Sequence, residues 1–415
     1  MKYRFYNAKV YTPQGVIDGE VWVDGNIINY VGKHKKSNQS FDREIDVEGN
    51  LLMPGLINTH THCGMTYIRG GYDNATLEQW LYDYVFPIEA EMTYDDYYWS
   101  NMQSLKEFVR GGVTCCFDMY FDMSARYDSF VKSGFRYCAT SSAKHYEEDI
   151  NTYTQSDMFK IFLDIHAVYT TDEEQIKETV RLAKKYNTRL TVHTCETLTE
   201  VGECQAKHQK TPIGYLDEFG FFSKPTICAH CVFLDDTDIE ILKENNVIVS
   251  TNPASNLKLG SGIANLYNLH KQGVSICLGT DSAGSNNRLD MFNEMYLASL
   301  LQKGNLHEPT ALSSQEVIDM ATVNGAKALG YDNLGQIKEG YLADLILVNL
   351  SEPNYQPLNN LADSLIYSAN SKDVYLTMVN GKILYEKGEY YLSEDADKIT
   401  ENFLRCNKRL LKLKK

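Results

Sequence analysis

Leu51-Leu52-Met53-Pro54-Gly55-Leu56-Ile57-Asn58-Thr59-His60-Thr61-His62 is an apolar run that ends in two histidines. Along a β-strand, alternate side chains lie on the same face, so His60 and His62 point the same way. Two imidazoles that project together from the end of a strand can bind one metal ion. A His-x-His pair alone is weak evidence. The segment therefore predicts a buried strand whose end is a candidate metal site.

Other side chains with metal-binding or acid–base chemistry also follow apolar runs. His193 and Glu196 follow Arg189-Leu190-Thr191-Val192, and His230 follows Ile227-Cys228-Ala229. Asp281 comes directly after the run that begins at Val274 and ends at Gly279-Thr280. Each residue alone is compatible with a capping or buried structural role. Their repeated position at strand ends favours a common site.

The arrangement of strands and helices predicts a (β/α)8 barrel flanked by β-rich ends. Residues 1–57 contain short strands and a hairpin turn at Asp24-Gly25-Asn26, and residues 58–333 alternate apolar strands with helical stretches. A repeat of this length suits a closed parallel barrel. Residues 334–415 return to β character, and we expect them to complete a small β-sandwich with residues 1–57. Residues 402–415 are a candidate for a basic amphipathic helix, which we expect to lie solvated on the surface.

Barrel enzymes place their active sites at the carboxyl ends of the strands. His60, His62, His193, His230 and Asp281 would therefore meet at one mouth. Three of these four imidazoles together with the carboxylate suit zinc or another divalent transition metal, with iron and manganese as alternatives. A catalytic metal needs an open position for water, whose pKa it lowers towards neutrality. Glu196, three residues after His193, is placed to move protons without binding the metal.

The bulk composition restricts the partners. The chain has 415 residues, 43% of them hydrophobic, and a formal net charge of −15. This charge disfavours nucleic acid and anionic membranes, and no run of about 18 apolar residues predicts a transmembrane helix. Scattered cysteines inside apolar runs indicate free thiols, and the start of the chain lacks a signal-peptide pattern. We expect a cytoplasmic homo-oligomer that acts on a small molecule.

The motifs together resemble the amidohydrolase superfamily. The similarity is to its branch of zinc aminohydrolases that includes the methylthioadenosine/S-adenosylhomocysteine deaminases, and it covers nearly the whole chain. The matching segments are Pro54 to His62, His193-x-x-Glu196, Ala229-His230-Cys231, Asn252 to Gly262 and Gly279-Thr280-Asp281-Ser282. The resemblance implies hydrolytic removal of ammonia from an amino-heterocycle, most directly an adenine nucleoside.

The resemblance also implies roles for individual residues. His60, His62, His193 and Asp281 would hold one metal ion, and Glu196 would move protons between water, ring nitrogen and leaving amine. His230 would orient the attacking water and stabilise developing negative charge. Binuclear members carry a bridging lysine at the end of the fourth barrel strand. This chain has His166 there, which favours a single metal and a contact with the substrate ring.

Substrate-binding positions follow from the same resemblance. Trp80 and Glu89 match a tryptophan and a glutamate of the nucleoside deaminases, in which the glutamate receives the ribose hydroxyls. Ser285 is expected to line the same pocket. The chain departs from the family between Tyr137 and Phe162, where the deaminases carry arginines that hold the ribose and a carboxylate tail. Residues 141–149 contain no arginine, and Lys144 or His145 is the available substitute.

Other functions remain open from the sequence. A deaminase of guanine, a pterin or a pyrimidine, or a chlorohydrolase-like enzyme, would use the same motifs. A non-catalytic relative that keeps the fold as a binding or assembly module is a further alternative. Such relatives lose metal ligands, and this chain retains His60, His62, His193, Asp281 and Glu196.

Overall fold

The protein forms two sheets surrounded by helices in a computed structural model that describes residues 1–36, 39–72 and 74–414. In chain order the strands are β1 (Lys2–Thr12), β2 (Gly15–Asp24), β3 (Ile27–Gly32), β4 (Arg43–Asp46), β5 (Leu51–Pro54), β6 (Leu56–Thr61), β7 (Val113–Asp118), β8 (Arg136–Ser142), β9 (Phe159–Ala167), β10 (Leu190–Thr194), β11 (Thr226–His230), β12 (Ile248–Thr251), β13 (Ser275–Leu278), β14 (Leu345–Val348), β15 (Val374–Val379), β16 (Lys382–Glu386) and β17 (Glu389–Tyr390).

The helices lie mainly between the strands of the second sheet. The α-helices are α1 (Leu77–Gln79), α2 (Phe86–Glu89), α3 (Tyr94–Arg110), α4 (Met123–Arg126), α5 (Tyr146–Thr152), α6 (Glu173–Tyr186), α7 (Leu198–His208), α8 (Pro212–Glu218), α9 (Asp236–Glu244), α10 (Pro253–Lys258), α11 (Leu266–Gln272), α12 (Met291–Leu306), α13 (Ser314–Ala321), α14 (Val323–Ala328), α15 (Leu361–Tyr367) and α16 (Ala396–Leu410). Short 3-10 or π-helical segments span Cys63–Ile68, Trp80–Val85, Tyr127–Val131, Phe221–Ser223, Pro353–Tyr355, Ser371–Asp373 and Leu411–Lys414.

Strands β6 to β13 form an eight-stranded parallel sheet in sequence order. Its two outer strands approach each other, because Thr59 Oγ1 donates a hydrogen bond to the Leu278 carbonyl (2.8 Å) and the Asp281 amide donates to the His60 carbonyl (2.9 Å). The sheet therefore curves into a nearly closed barrel, and the predicted barrel fold is confirmed.

The remaining strands form a mixed nine-stranded sheet from both parts of the chain. β5 pairs with β1 on one side and with β14 on the other, so the N-terminal and C-terminal strands share one ladder. The chain passes from this sheet to the barrel at Gly55. A Cβ atom at that position would overlap the Thr114 side chain, so the close approach of the two segments requires glycine. The domain boundaries at 57/58 and 333/334 stay a prediction.

The predicted C-terminal helix is present, but it differs from the expectation in where it begins and in how firmly it packs. Helix α16 begins at Ala396, six residues before the predicted start, and Lys415 lies outside the described residues. Its apolar face is buried rather than solvated, because Ile399, Phe403, Cys406 and Leu410 recur at helical spacing and pack into the main core. None of the helices within the described ranges is long and apolar enough to cross a membrane.

A buried ion pair joins the two sheets. Arg136 at the start of β8 donates from Nε and Nη2 to the two carboxylate oxygens of Asp344, each at 2.8 Å, and both side chains are inaccessible to solvent. Asp344 directly precedes β14 and also accepts the Asn380 amide (2.8 Å). The pair therefore fixes the barrel against the mixed sheet through one carboxylate.

We expect Asp344→Ala to lower the free energy of unfolding by about 3–5 kcal/mol, because it leaves a buried guanidinium without its counter-charge. Urea unfolding followed by circular dichroism measures the change. Asp18→Ala is the control, since Asp18 pairs with Lys9 at an exposed position and its loss should change stability far less. Equal effects of the two substitutions would contradict the structural role of the Arg136–Asp344 pair.

Candidate active site

Five side chains from four strand ends meet at the carboxyl end of the barrel. His62 Nε2 lies 3.1 Å from Asp281 Oδ1 and 3.2 Å from His193 Nε2, and His60 Nε2 lies 3.6 Å from the same Asp281 oxygen. The His230 ring lies 5.5 Å, centroid to centroid, from the rings of both His60 and His193. The sequence-predicted residues are therefore brought together, as parallel strands that end at one rim require.

Backbone carbonyl groups orient two of the imidazoles. His62 Nδ1 donates to the Met119 carbonyl (2.5 Å), and His193 Nδ1 donates to the His166 carbonyl (2.6 Å). With the proton on Nδ1, the unprotonated Nε2 of each ring faces the cluster as a potential ligand. Carbonyl partners of this kind are typical of metal-binding histidines.

Serine hydroxyls orient Asp281. Ser255 Oγ and Ser285 Oγ both donate to Asp281 Oδ2, at 2.5 and 2.7 Å. Oδ2 is therefore engaged, and Oδ1 remains directed at the histidines. Ser285 was expected to line the pocket, but it lies beneath Asp281 and is absent from the described residues that form the cavity wall. Its position makes it a support for the carboxylate rather than a wall of the pocket.

Backbone strain coincides with the cluster. His230 has φ +72° and Asp281 has φ +57°, and Cys195, next to Glu196, has φ +53°. Non-glycine residues rarely adopt this left-handed region, and each such residue costs roughly 1–3 kcal/mol. The three residues are held there by hydrogen bonds around the strand ends, including the Cys231 amide to the Thr194 carbonyl (3.1 Å). Strain of this type is common where side chains must be aimed at a functional site.

The donor set fits a divalent metal ion. Ligand atoms of His60, His62 and Asp281, and of His60, His193 and His230, lie within 4.8 Å of one another. His60 Nε2 is buried and has no hydrogen-bond partner, which is costly for a polar atom unless an ion or ligand satisfies it. Burial lowers the pKa of His60 to about 4, so the ring is neutral near pH 7 as a ligand must be.

The electrostatics of the cluster also favour a bound metal ion. Burial disfavours a charged His62, but the hydrogen bond and charge of Asp281 outweigh it and raise the pKa of His62 to about 9. The same histidines overcome the desolvation of Asp281 and hold its pKa well below the usual range. Without a metal ion, a proton on His62 Nε2 would balance the Asp281 carboxylate. A metal ion would take the place of that proton.

Glu196 lies beside the cluster but outside the ligand groups. The residue is 6% exposed, Oε2 lies 3.8 Å from His230 Nε2, and Oε1 accepts from Ser261 Oγ (3.1 Å). Burial raises the pKa of Glu196, against the opposing effect of His230. A buried carboxyl group with a raised pKa, next to side chains that could bind a metal ion, is suited to proton transfer.

A cleft opens above the cluster. It has an empty volume of about 940 Å³ that includes the part open to solvent, and His62, His193, Glu196, His230 and Asp281 form its floor. The sequence-predicted Trp80, Glu89 and His166 also line it. Glu89 Oε1 accepts the Tyr120 hydroxyl proton at 2.7 Å. Such a volume is within the range of small-molecule sites.

Several supporting residues were not assigned roles from the sequence. Ser255, Asn256 and Ser261 all lie in the segment Asn252 to Gly262, and Asn256 Oδ1 accepts from His230 Nδ1 (2.8 Å). Asp164, which also lines the cleft, was not singled out. The dense run of small polar residues around Asn252-Pro253 was the available signal, because α10 places several of these side chains close to the strand ends.

Comparisons with known proteins agree with this geometry. Residues 51–384 match the model of the amidohydrolase family. A 5-methylthioadenosine/S-adenosylhomocysteine deaminase from Caldicellulosiruptor saccharolyticus is 37% identical, with 93% of this chain and 94% of the relative covered. A 5′-deoxyadenosine deaminase from Methanothermobacter thermautotrophicus is 40% identical, with 92% of each covered. The chain belongs to the amidohydrolase family, as the sequence motifs predicted.

A solved structure supports the same assignment. The adenosine deaminase from Xanthomonas campestris with bound zinc superimposes with a TM-score of 0.93 at 28% identity, over 99% of this chain and 98% of that one. The fold, the family and the cleft together define a hydrolytic enzyme with a divalent-metal site at the barrel mouth.

Proposed function

We propose that this protein is a zinc-dependent hydrolytic deaminase of adenine nucleosides, which releases ammonia from the six-position of the ring. The observation that carries the proposal is Glu196, a buried acid beside the His60–His62–His193–Asp281 cluster at the floor of a nucleoside-sized cleft. The relatives named for the deamination of adenine nucleosides support the choice of substrate.

His60, His62, His193 and Asp281 would hold a single zinc ion. Zinc bound by nitrogen and oxygen ligands with one open position supplies Lewis acidity and lowers the pKa of water. Three neutral imidazoles and one carboxylate match its ligand preference better than that of oxygen-seeking cations. With His166 at the end of β9, we infer one metal per chain.

The side chains divide the proton transfers between them. Asp281 takes a proton from the attacking water, and His230 orients that water through Nε2, since its Nδ1 is committed to Asn256. Glu196 donates its proton to the ring nitrogen, takes one from the added hydroxyl group and passes it to the departing amine. The proton held by Asp281 then restores Glu196, so one water is consumed and one ammonia is released.

Trp80 and Glu89 supply the binding of the rest of the substrate. Trp80 is buried with its ring on the cleft wall, next to Ile68 and Gly284, and offers an apolar surface to a planar ring. Glu89 also lines the cleft and has one carboxylate oxygen bonded to the Tyr120 hydroxyl. The other oxygen is available for the ribose hydroxyls, and His166 for the base.

We expect Glu89→Ala to lower kcat/KM for an adenine nucleoside by about 10–100-fold, because a substrate hydroxyl loses a charged hydrogen-bond partner. Rates of ammonia release from the nucleoside and from free adenine give the ratio of the two kcat/KM values. This ratio should fall in the variant. Glu91→Ala, at an exposed neighbouring position, is the control and should leave both rates unchanged. Equal loss on nucleoside and free base would contradict a ribose contact.

Ammonia release over a panel of purines, nucleosides, pterins and pyrimidines tests the proposed function. We expect adenine nucleosides to be turned over faster than any free base. Faster turnover of guanine, a pterin or cytosine would replace the substrate while keeping the reaction. Assembly into a homo-oligomer and a cytoplasmic location stay predictions.

A further inference from the structure

A second cavity, the amino-end pocket, lies at the end of the barrel opposite the active site. Lys160 near the start of β9 and Arg189 directly before β10 line it, together with Gln155 and Asn187. Its empty volume is about 540 Å³, including the part that is open to solvent. His193 of the active-site cluster lies close to the other end of β10. The two sites are therefore separated by the length of the barrel strands.

Gly330 brings the two cations of the amino-end pocket together. Lys160 Nζ donates to the carbonyl groups of Leu329 (3.1 Å) and Gly330 (2.7 Å). Gly330 has φ +70°, and a Cβ atom at this position would lie 2.8 Å from Arg189 Nε. Glycine thus allows the guanidinium to lie directly against the turn that Lys160 also contacts. Two positively charged side chains therefore pack against the same residue.

The hydrogen-bonding capacity that remains in the pocket belongs mainly to donors. The Arg189 guanidinium has no acceptor among the described residues. The side-chain oxygen of Gln155 accepts the Ile161 amide (2.9 Å), and that of Asn187 accepts Lys224 Nζ (2.7 Å). Both partners can only donate, so the orientation of the two amide groups is determined, and the NH2 group of each remains available. Such a set of donors is suited to a ligand that only accepts hydrogen bonds.

The described residues that line the amino-end pocket include no aspartate or glutamate. Glu147 lies outside the lining and accepts Lys185 Nζ and the Tyr186 hydroxyl, each at 2.8 Å. The charges of Asp157 and Asp332 act on the two cations, but neither residue lines the pocket. No carboxylate of the described lining therefore competes with an anion for these donors.

Desolvation adds to the charge imbalance. Burial lowers the pKa of both Lys160 and Arg189, and the charge of Arg189 lowers that of Lys160 further. Like charges that are held close together in a partly desolvated pocket are unfavourable, whereas an opposite charge nearby favours both charged forms. An anion in the pocket would supply that opposite charge.

We propose that the amino-end pocket binds a small tetrahedral oxyanion, with inorganic phosphate or a phosphate monoester as the ligand class. Arg189 supplies a planar pair of N–H donors that matches two oxygens of a phosphate group, and Lys160 supplies a compact positive charge. The NH2 groups of Gln155 and Asn187 complete the donor set. The residues proposed for deamination take no part in this site, so the inference does not depend on the proposed function.

Isothermal titration calorimetry of the full-length, zinc-loaded protein with inorganic phosphate, at constant ionic strength set by chloride, tests the proposal. We expect saturable binding in the native protein. Arg189→Gln removes the charge but keeps a polar side chain, and it should raise the Kd by about tenfold or more. Arg405→Gln, at an exposed position on α16 outside the pocket, is the control and should leave the Kd unchanged. A titration with glycerol phosphate distinguishes the two ligand sources, because tighter binding than that of inorganic phosphate indicates a monoester and weaker binding indicates the free ion.

A second variant tests the same pocket without removing a half-buried side chain. Gln155 is exposed, and Gln155→Glu keeps an oxygen for the Ile161 amide while it replaces the NH2 donor by a negative charge. We expect this variant to lose phosphate binding and to keep the urea midpoint of the native protein. Absence of saturable binding in the native protein would overturn the proposal. Unchanged binding in both Arg189→Gln and Gln155→Glu would also overturn it, because the anion would then be held elsewhere, such as at the metal.

Discussion

Glu196→Gln is expected to lower turnover by roughly two to four orders of magnitude while the metal content stays normal. The substitution keeps the size and polarity of the side chain but removes its ability to exchange a proton, and general acid–base catalysis contributes on this scale. Ser261 can still donate to the remaining carbonyl oxygen at this position. The local structure should therefore survive, and the loss should appear in kcat.

Two measurements on this variant distinguish a proton-transfer role of Glu196 from a role as metal ligand. Elemental analysis reports the bound metal, and steady-state ammonia release reports kcat and KM. Glu203→Gln is the matched control, because Glu203 is an exposed glutamate on α7, the helix that follows Glu196. Loss of metal in Glu196→Gln would make Glu196 a ligand, and unchanged turnover would remove it from the mechanism.

His60→Ala is expected to abolish both metal binding and activity. His60 belongs to both groups of possible ligands, His60–His62–Asp281 and His60–His193–His230. Its buried Nε2 has no hydrogen-bond partner, so we expect it to be a metal ligand. Loss of an outer partner of a metal ligand already costs about 10–100-fold in metal affinity, and loss of the ligand itself should cost more.

The metal content of the purified protein gives the readout. We expect about one equivalent of zinc per chain in the native protein and a small fraction of that in His60→Ala. His270→Ala is the control, since His270 is exposed on α11 and is not among the residues that line the cleft. Two equivalents in the native protein would overturn the single-metal interpretation of His166. Full activity of His60→Ala would contradict the whole assignment of the cluster.

The barrel and the convergence of its strand-end residues could be predicted from the sequence because two simple rules determine them. Strand periodicity puts His60 and His62 on one face, and parallel strands bring their carboxyl ends to one rim. The structure places His193, His230 and Asp281 beside them. Strand periodicity and the parallel arrangement of the strands were therefore sufficient to predict this part of the site.

The supporting contacts could not be predicted because they depend on loops. Ser255 and Ser285 reach the same Asp281 oxygen from two different segments, and no periodicity relates these positions. Ser285 was therefore expected in the pocket wall. Helix α16 was misjudged for a related reason. Its buried face includes Ile399 and depends on a docking surface on α3, which the sequence of the helix alone does not reveal.

The most direct test of the central claim is product analysis with 5′-methylthioadenosine in ¹⁸O-labelled water and the zinc-loaded protein. Hydrolytic deamination predicts one ammonia per nucleoside consumed. The product is an intact nucleoside with a single solvent oxygen at the six-position of the ring. An unlabelled or unchanged nucleoside, or release of the free base without ammonia, would contradict the account.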